Sequence, residues 1–356
     1  MNPISCVSIV VPMLNEADHV DELIASIAAQ DFAGEIEVVV ADGGSTDGSV
    51  ERLRAAAARH DVQLEVVGNP SQWVSQGLNE CIRRVRGDLI VRLDCHSRYP
   101  RDYVRHCVLV AEETGAPAVG GIVVPHGTTP TERAVACAMD SPFGGIGWMR
   151  GTSQHVRRDS DILTYGAFRP EAFARAGLFD ETLLRNQDDE FTLRLRRAGG
   201  RVVLDSTIRV HYVPRSSLRG VFRQYFQYGF WKVAVIRKHR RIPSARSAAP
   251  PLFAISLLTL TPAAGFLPLA RWLLAAEVSA YAVLAATFGA ASVRRRREPW
   301  RLLPRVISVF PAFHLGYGLG MLRAAAGAKS RGGPAAAGAG SKTAVVADVP
   351  VETSGP

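Results

Sequence analysis

The sequence predicts an α/β fold with a parallel sheet, followed by an apolar C-terminal region. Up to residue 94, short β-branched runs alternate with helical stretches at spacings that fit right-handed crossovers between parallel strands. From residue 250 to residue 292 the only charged side chains are Arg271 and Glu277. The 356 residues are ample for a buried core, so we expect a globular α/β part and a separate apolar helical part.

Each predicted element follows from a local pattern. Residues 6–12 form a β-branched run that ends at a proline, which is typical of a buried parallel strand. Leu23, Ile24 and Ile27 share one face of a helix predicted over residues 15–30. The other elements of this part are strands at 35–40, 63–68 and 88–91 and helices at 49–60 and 74–86.

Polar clusters follow three of these strands, at residues 12–16, 42–47 and 94–96. Because ligands of parallel α/β sheets bind beyond the carboxyl ends of the strands, we expect the three clusters to meet in one cleft. Asp94 and His96 are two positions apart, so they face the same side of an extended chain and could hold one divalent cation. The alternative is that Asp94 caps the next turn and His96 is an ordinary surface residue.

The glycine-rich loop after Asp42 could approach a nucleotide closely, because glycines remove the Cβ barrier. It is neither a Walker loop nor a Gly-x-Gly-x-x-Gly dinucleotide turn. Asp42 could accept a hydrogen bond from a base N–H, and Glu16 could accept one from a ribose hydroxyl. The alternative for Asp42 is the cap of a tight turn.

Several motifs continue this pattern along the chain. They are Pro12-x-x-Asn15-Glu16, Asp42-Gly43-Gly44-Ser45-Thr46-Asp47-Gly48, Gly77-x-Asn79, Gly87-Asp88, Leu93-Asp94-Cys95-His96, Gly166-x-x-Arg169, Gly177-Leu178-Phe179-Asp180, Gln187-Asp188-Asp189-Glu190 and Tyr228-Gly229-x-Trp231. In this order they resemble the motifs of family 2 inverting glycosyltransferases, over about the first two thirds of the chain. The resemblance is strongest to the branch of the succinoglycan-biosynthesis glucosyltransferases. It implies the GT-A nucleotide-diphospho-sugar transferase fold, a Rossmann-like mixed sheet, here with C-terminal transmembrane helices.

The resemblance also implies roles for single residues. The residues implied to bind the nucleotide-sugar are Pro12, Asn15, Glu16, Asp42, Asn79 and Asp94. Asp94 and His96 would hold the metal and the diphosphate, and His211 would complete the metal site. The metal would be Mn²⁺ or Mg²⁺, and the imidazole at position 96, where the family has an aspartate, favours Mn²⁺. A second departure is Gly43, where the family often has another aspartate.

Acidic residues open a helix that is predicted to end at Gly199. Such residues are common in a first helical turn, because they complement the helix dipole. The resemblance instead implies that Asp188 is the general base that deprotonates the acceptor hydroxyl, with Asp189 as the reserve candidate.

The later part of the α/β region is less regular. Residues 144–155 are predicted to form an irregular acceptor-side loop. The other elements predicted here are an extended segment at 163–169, a helix at 170–176, strands at 202–204 and 209–213 and a helix at 217–238. In that last helix, Gln227 and Trp231 partly match the Gln-x-x-Arg-Trp acceptor-side motif of processive polysaccharide synthases, with Phe230 in the arginine position. The exchange favours transfer of a single sugar over polymerisation.

The net charge of +9 concentrates at residues 237–246 and 294–297, on either side of the apolar region. This placement indicates membrane phospholipid as a partner and puts both ends on the cytoplasmic face. No basic segment interleaves aromatics as in a nucleic-acid-binding module, so we expect no nucleic acid. Predicted spans are 251–270 and 272–292, and segment 302–322 either spans or lies at the interface. The alternative is a buried soluble helical domain.

These patterns give a predicted domain organisation. It is a catalytic domain at 1–235, a basic juxtamembrane linker at 236–249, a membrane region with two or three helices at 250–326 and a disordered tail at 327–356. The five cysteines have no metal-finger spacing and are expected to be free thiols in a reducing compartment. No cleavable signal is apparent, so we expect a multi-pass protein of the inner (plasma) membrane with a cytoplasmic catalytic domain.

The function that follows is a membrane-anchored inverting glycosyltransferase. It is expected to move one sugar, glucose from the donor UDP-glucose, to a glycan linked to polyprenyl diphosphate in exopolysaccharide or cell-envelope glycan synthesis. Two alternatives remain open at this point. One is a processive polysaccharide synthase, and the other is a non-catalytic membrane scaffold with a degenerate nucleotide cleft.

Overall fold

The computed structural model of the protein describes residues 3–144, 155–240 and 245–327. The strands are β1 (Cys6–Met13), β2 (Glu35–Asp42), β3 (Leu64–Gly68), β4 (Leu89–Arg92), β5 (Ser97–Arg98), β6 (Ala118–Pro125), β7 (Arg157–Asp159), β8 (Ala167–Phe168) and β9 (Val202–Tyr212). The helices are α1 (Val20–Ala28), α2 (Ser49–Arg59), α3 (Val74–Ile82), α4 (Tyr103–Thr114), α5 (Pro130–Met139), α6 (Pro170–Ala176), α7 (Gln187–Arg197), α8 (Leu218–His239), α9 (Ala249–Ala263), α10 (Pro268–Arg295) and α11 (Leu303–Ala325).

The sheet is mixed, with the strand order β3-β2-β1-β4-β8-β6-β9-β5, and β7 pairs with β9. Strands β3, β2, β1 and β4 run parallel, as the alternation of strands and helices predicted. Strand β8 is antiparallel to both β4 and β6. β1 lies between β2 and β4, and its residues from Val7 to Val11 are buried, which is the pattern of a strand covered on both faces.

The structure differs from the sequence predictions in two ways in the second half of the α/β part. Elements β5, α4, β6, α5 and β7 were not predicted from the sequence. The strands predicted at 202–204 and 209–213 are one continuous strand, β9, with a register shift opposite residues 120–122. The polar residues between them stay in the strand because the buried Asp205 carboxylate accepts bonds from the backbone N–H and the hydroxyl of Thr207, at 2.8 and 2.6 Å.

The predicted break between the first two apolar spans is wrong. α9 ends at Ala263 and α10 begins at Pro268, so Arg271 lies inside α10. Proline is favoured in the first helical turn, where its missing N–H costs nothing. The Arg271 guanidinium turns back and donates to the carbonyl oxygen of Ala264 at 2.7 Å.

Within the described residues, two helical segments are long and apolar enough to cross a membrane, Pro268–Arg295 and Trp300–Ala325. The first predicted span is the short one, because α9 has 15 residues and extends about 22 Å. The third predicted segment forms a continuous helix despite Pro311. In α10, only 11% of the most apolar 18-residue stretch is buried inside the protein. In the segment Trp300–Ala325, the corresponding share is 39%.

The C-terminal helices pack against the α/β part. Glycines 229, 316 and 320 let α8 and α11 approach closely, since a Cβ on Gly320 would collide with the carbonyl oxygen of Phe226. α5, α8, α10 and α11 share a third hydrophobic core that includes Val135, Phe310 and Phe313. The predicted boundary at residue 235 falls inside α8, and the domain division stays a prediction.

Part of the basic run at 294–297 also contacts the α/β part. Arg296 pairs with the carboxylate of Asp140, and Arg295 donates to the backbone carbonyl of Asp140 at 2.5 Å. These two arginines therefore serve a contact within the protein. The phospholipid partner stays a prediction for the basic segment at 237–246 and for the exposed Arg294 and Arg297. Of the predicted acceptor-side loop, residues 145–154 lie outside the described part of the chain, as do residues 328–356 of the predicted tail.

Candidate active site

The first two polar clusters form one hydrogen-bonded unit at the ends of β1 and β2. Asn15 has a left-handed backbone conformation, and its N–H donates to Ser45 Oγ at 2.8 Å. Its side-chain Oδ1 accepts from the N–H of Thr46 at 2.9 Å. The N–H of Glu16 donates to Ser49 Oγ at 2.7 Å. The serine-rich loop thus fixes the direction of the chain after β1.

Asp42 holds its own glycine loop together. Its carboxylate accepts from the Ser45 hydroxyl at 2.6 Å and from the N–H of Gly44 at 3.1 Å. Asp42 is therefore a turn cap, as the alternative interpretation proposed, and its contact with a base stays a prediction. Pro12 is half-buried at the end of β1, where the next residue, Met13, pairs in register with Asp42.

The third cluster contacts the first. Nδ1 of His96 lies 3.4 Å from Oε1 of Glu16, so all three predicted clusters meet at one edge of the sheet. Desolvation in the cleft lowers the pKa of His96, but the contact with Glu16 and the charge of Asp94 outweigh it and raise that pKa above its usual value. The imidazole is therefore held toward its protonated form, which donates to Glu16.

Two predicted site carboxylates meet on one guanidinium. Arg92, at the end of β4, is 6% exposed. Its Nη2 donates to Asp94 Oδ1 at 3.2 Å, and its Nη1 donates to Asp188 Oδ1. Asp188 lies at the start of α7, so this contact brings the predicted base into the cleft of Asp94.

The surroundings of Asp94 and Asp188 shift the pKa values of the two carboxylates in opposite directions. Desolvation raises the pKa of Asp188, and the charges of Asp94 and Asp189 add to this, so the pKa stays above its ordinary value despite Arg92. Desolvation also acts on Asp94, but the charges of Arg92 and His96 hold its pKa below the ordinary value. Asp94 is thus kept ionised, while Asp188 binds a proton more readily, as suits a general base.

Asp189 has a different partner. It pairs with Lys232 of α8, a buried lysine whose side chain is 8% exposed. Asn186 strengthens the same junction by donating to the backbone carbonyl of Tyr228 at 2.9 Å. Of the two candidate bases, Asp188 shares the cleft with Asp94, whereas Asp189 ties α7 to α8.

The sequence analysis did not identify Arg92, the cation of the cleft, or Lys232, the partner of Asp189. A usable signal was present, because each is a cation set among apolar neighbours. Arg92 follows Leu89, Ile90 and Val91, and Lys232 stands between Trp231 and Val233. A buried cation requires a paired anion, so such positions point to a nearby carboxylate.

Asn79 does not lie in the cleft. It is 1% exposed, and its Nδ2 donates to the Phe179 carbonyl and to Glu181, both at 2.9 Å. Its Oδ1 accepts from the N–H of Phe179 at 3.0 Å. The side chain thus connects α3 to the turn before α7, and Asn79 leaves the set of nucleotide contacts because its hydrogen-bonding groups are already used.

His211 lies on β9, opposite Arg98 of β5. Burial and the nearby charges of His126, Arg209 and Arg98 lower the pKa of His211. In residues 3–144, 155–240 and 245–327, no three His, Cys, Asp or Glu side chains are grouped so that they could hold a metal ion. The structure thus does not assemble the predicted three-ligand set.

Asp94 by itself fits a divalent cation. Its carboxylate is held ionised, and hard cations such as Mn²⁺ and Mg²⁺ prefer oxygen ligands. His96 fits less well, because a metal ligand must be a neutral imidazole and Glu16 favours the protonated form. A cation on Asp94 would need further oxygen ligands from a bound anion.

Gln227 and Trp231, which are predicted to lie on the acceptor side, are half-buried on α8. Gln227 precedes Tyr228, which accepts a hydrogen bond from Asn186 at the N-terminus of α7, and Trp231 precedes Lys232, which pairs with Asp189 of α7. Because they are four positions apart, Gln227 and Trp231 lie on the same side of α8, next to the residues that form the junction with α7.

The mixed sheet, with its acidic cleft at the carboxyl ends of β1, β2 and β4, defines a GT-A type nucleotide-sugar transferase fold. The profile of the family "Glycosyl transferase family 2" matches residues 8–176. The chain belongs to this family, and it is a glycosyltransferase. Succinoglycan biosynthesis protein ExoA of Rhizobium meliloti (strain 1021) is 31% identical over 319 residues, which cover 88% of this chain and 93% of that protein.

Two further relatives extend the comparison. A dolichyl N-acetyl-α-D-glucosaminyl phosphate 3-β-D-2,3-diacetamido-2,3-dideoxy-β-D-glucuronosyltransferase of Methanococcus voltae is 24% identical over 65% of this chain and 74% of its own length. The mannosyltransferase PcManGT from Pyrobaculum calidifontis, solved in complex with GDP-Man and Mn²⁺, matches with a TM-score of 0.62 and 20% identity. That match covers 90% of this chain and 88% of the other, and it confirms the fold.

Proposed function

We propose that this enzyme is a membrane-bound inverting glycosyltransferase that moves a single sugar from a nucleotide-diphospho-sugar to a lipid-linked glycan. The donor is UDP-glucose, and the product belongs to exopolysaccharide or cell-envelope glycan synthesis. One observation carries the proposal. Arg92 contacts both Asp94 and Asp188, so the carboxylate proposed to bind the metal and the carboxylate proposed as general base lie in one cleft.

The donor binds across the ends of β1, β2 and β4. Asp42 accepts from the base, Glu16 accepts from the ribose, and Pro12 and Asn15 line the nucleoside pocket. Asp94 would hold a divalent cation, Mn²⁺ or Mg²⁺, which supplies charge neutralisation at the donor diphosphate. The mannosyltransferase solved with GDP-Man and Mn²⁺ supports a cation of this class on the same fold.

Asp188 is the general base. It takes the proton of the acceptor hydroxyl as the hydroxyl oxygen forms its bond to the anomeric carbon. The bond from that carbon to the diphosphate oxygen breaks on the opposite face, so the configuration inverts and an α-linked donor gives a β-glycoside. The raised pKa of Asp188 supports this role, because a more basic carboxylate drives proton transfer further. Gln227 and Trp231 flank the acceptor.

The membrane part holds the enzyme near its acceptor. The most apolar stretch of α10 is largely exposed on the surface of the protein, which supports contact with lipid. Arg296 binds Asp140, so the arginine-rich end of α10 and the catalytic domain lie on the same side. The positive-inside rule supports a cytoplasmic position for both. The Methanococcus relative, whose name specifies a dolichyl-phosphate-linked sugar, supports a polyprenyl-linked acceptor.

The test is a panel of nucleotide sugars with membranes that contain the full-length protein and a polyprenyl diphosphate glycan. We expect addition of one hexose from UDP-glucose, with a β linkage in the NMR spectrum of the product. The Asp188→Asn variant is the matched negative control. Long polymers grown from one acceptor would contradict single transfer, and absence of UDP binding in the presence of Mn²⁺ would contradict a transferase that uses this donor.

A further inference from the structure

The carboxylates of Asp94 and Asp188 are 94 positions apart in the chain, yet one buried guanidinium contacts both. The Arg92 side chain is 8% exposed, and each of the two carboxylate side chains is 18% exposed. Each carboxylate uses only Oδ1 in this contact, so Oδ2 of each is not held by the guanidinium. The planar guanidinium fork can hold two oxygens in fixed directions, whereas a lysine ammonium is a point charge.

This contact has two electrostatic consequences. Two carboxylates in a desolvated cleft repel each other, and Arg92 offsets that repulsion because its charge persists at all physiological pH values. Arg92 is also a cation directly beside Asp94. It therefore opposes a second cation at Asp94 and lowers the affinity of that carboxylate for a divalent metal.

We propose that Arg92 is a positioning residue that fixes the base Asp188 relative to Asp94 while competing electrostatically with the divalent cation for Asp94. The inference rests on the proposed function, which assigns the metal to Asp94 and the base role to Asp188. It gives removal of Arg92 two opposite effects. Cation binding strengthens, and sugar transfer weakens.

The experiment uses the full-length protein in detergent, with Mn²⁺ affinity measured by calorimetry in the presence of UDP and transfer measured at steady state. For Arg92→Met we expect the Kd for Mn²⁺ to fall about threefold or more. We expect kcat to fall about 100-fold with little change in the donor KM, because the base loses its position. A residue needed only for folding would weaken both Mn²⁺ binding and transfer.

Arg92→Lys separates charge from geometry and covers the case in which Arg92→Met does not fold. It keeps a cation beside Asp94 but cannot hold both carboxylates in a fork. We expect the Kd for Mn²⁺ within about twofold of wild type and kcat reduced about tenfold. Arg84→Met is the matched control, since Arg84 pairs with Glu65 in a half-exposed contact at 3.0 Å. It should change neither quantity.

The outcomes are distinguishable. Full kcat in Arg92→Lys, or Mn²⁺ binding that weakens in a folded Arg92→Met, would overturn the inference and leave the proposed function intact. A wild-type protein that binds UDP but no Mn²⁺ would overturn the metal site of the proposed function, and with it the competition at Asp94.

Discussion

Oε1 of Glu16 lies 3.4 Å from Nδ1 of His96, so the polar cluster that follows β1 touches the cluster that follows β4. The contact joins a predicted ribose-binding carboxylate to the imidazole that replaces the usual metal-binding aspartate. Despite desolvation, Glu16 and Asp94 raise the pKa of His96, so the contact favours the protonated imidazole at this edge of the sheet.

Replacing Glu16 with alanine should weaken UDP binding about 10–100-fold, since it removes an acceptor for the ribose and leaves His96 without its anion. Calorimetric titration with UDP checks this. Glu22→Ala is the matched control, because Glu22 pairs with Arg98 at 2.6 Å in an exposed contact on α1. Equal affinities in the two variants would remove Glu16 from the donor site.

Replacing Asp188 with asparagine should lower the kcat for sugar transfer about 100-fold or more, while UDP binding is retained. Asn has no basic carboxylate, but it keeps the size of the side chain and a hydrogen bond to Arg92. Asp189→Asn should lose far less activity, because Asp189 pairs with Lys232. Measuring kcat and the Kd for UDP in both variants shows which carboxylate is the general base. The reverse order of activities would make Asp189 the base.

Replacing Asn79 with alanine should lower the free energy of unfolding by about 1–3 kcal/mol, because buried hydrogen-bonding groups around Phe179 lose their partners. The folded fraction should bind UDP normally. Chemical denaturation together with UDP titration measures the two effects. Glu80→Ala, one position along the same helix, is the control for stability. A selective loss of UDP affinity at unchanged stability would return Asn79 to the nucleotide site.

Replacing Gly320 with alanine should destabilise the junction of α8 and α11 by about 1–3 kcal/mol, because the new methyl group meets the backbone of Phe226. Thermal unfolding in detergent measures this. At Gly289 of α10 an added Cβ meets only side-chain atoms, the nearest being Leu303 Cδ1 at 3.2 Å, so Gly289→Ala is the milder control. Equal melting temperatures would argue against close backbone packing of the two helices.

Asp205 makes stability depend on pH. Its side chain is fully buried, and although desolvation raises the pKa, bonds from Thr207 and Arg157 lower it to about 2. A folded-state pKa below the unfolded value of about 3.9 means that the stabilisation is complete above that value and is lost as the pH falls toward 2.

At neutral pH, the free energy of unfolding of Asp205→Asn should therefore be about 2 kcal/mol lower than that of wild type. This difference should shrink between about pH 4 and pH 2. Denaturation curves at several pH values measure the difference. Asp61→Asn, in an exposed turn, is the control and should show no such trend. A difference that grows on acidification would contradict the assignment.

The sequence by itself determined the first half of the sheet and the place of the cleft. Parallel strands separated by helices bring their carboxyl ends to one edge, so the clusters after β1, β2 and β4 had to lie together. Local patterns failed where long-range contacts set the structure. The polar residues 205–207 suggested a break between strands, yet bonds made by the buried Asp205 keep β9 continuous.

Only the tertiary structure decided which partner each charged or polar side chain has. Arg92 reaches Asp188 across 96 positions of the chain, Lys232 reaches Asp189 across 43, and Asn79 reaches Phe179 across 100. No local periodicity encodes such pairings, because they arise when separate elements pack and buried polar groups must find partners. Those pairings put Asp188 beside Asp94, direct Asp189 toward α8, and give Asn79 a structural role.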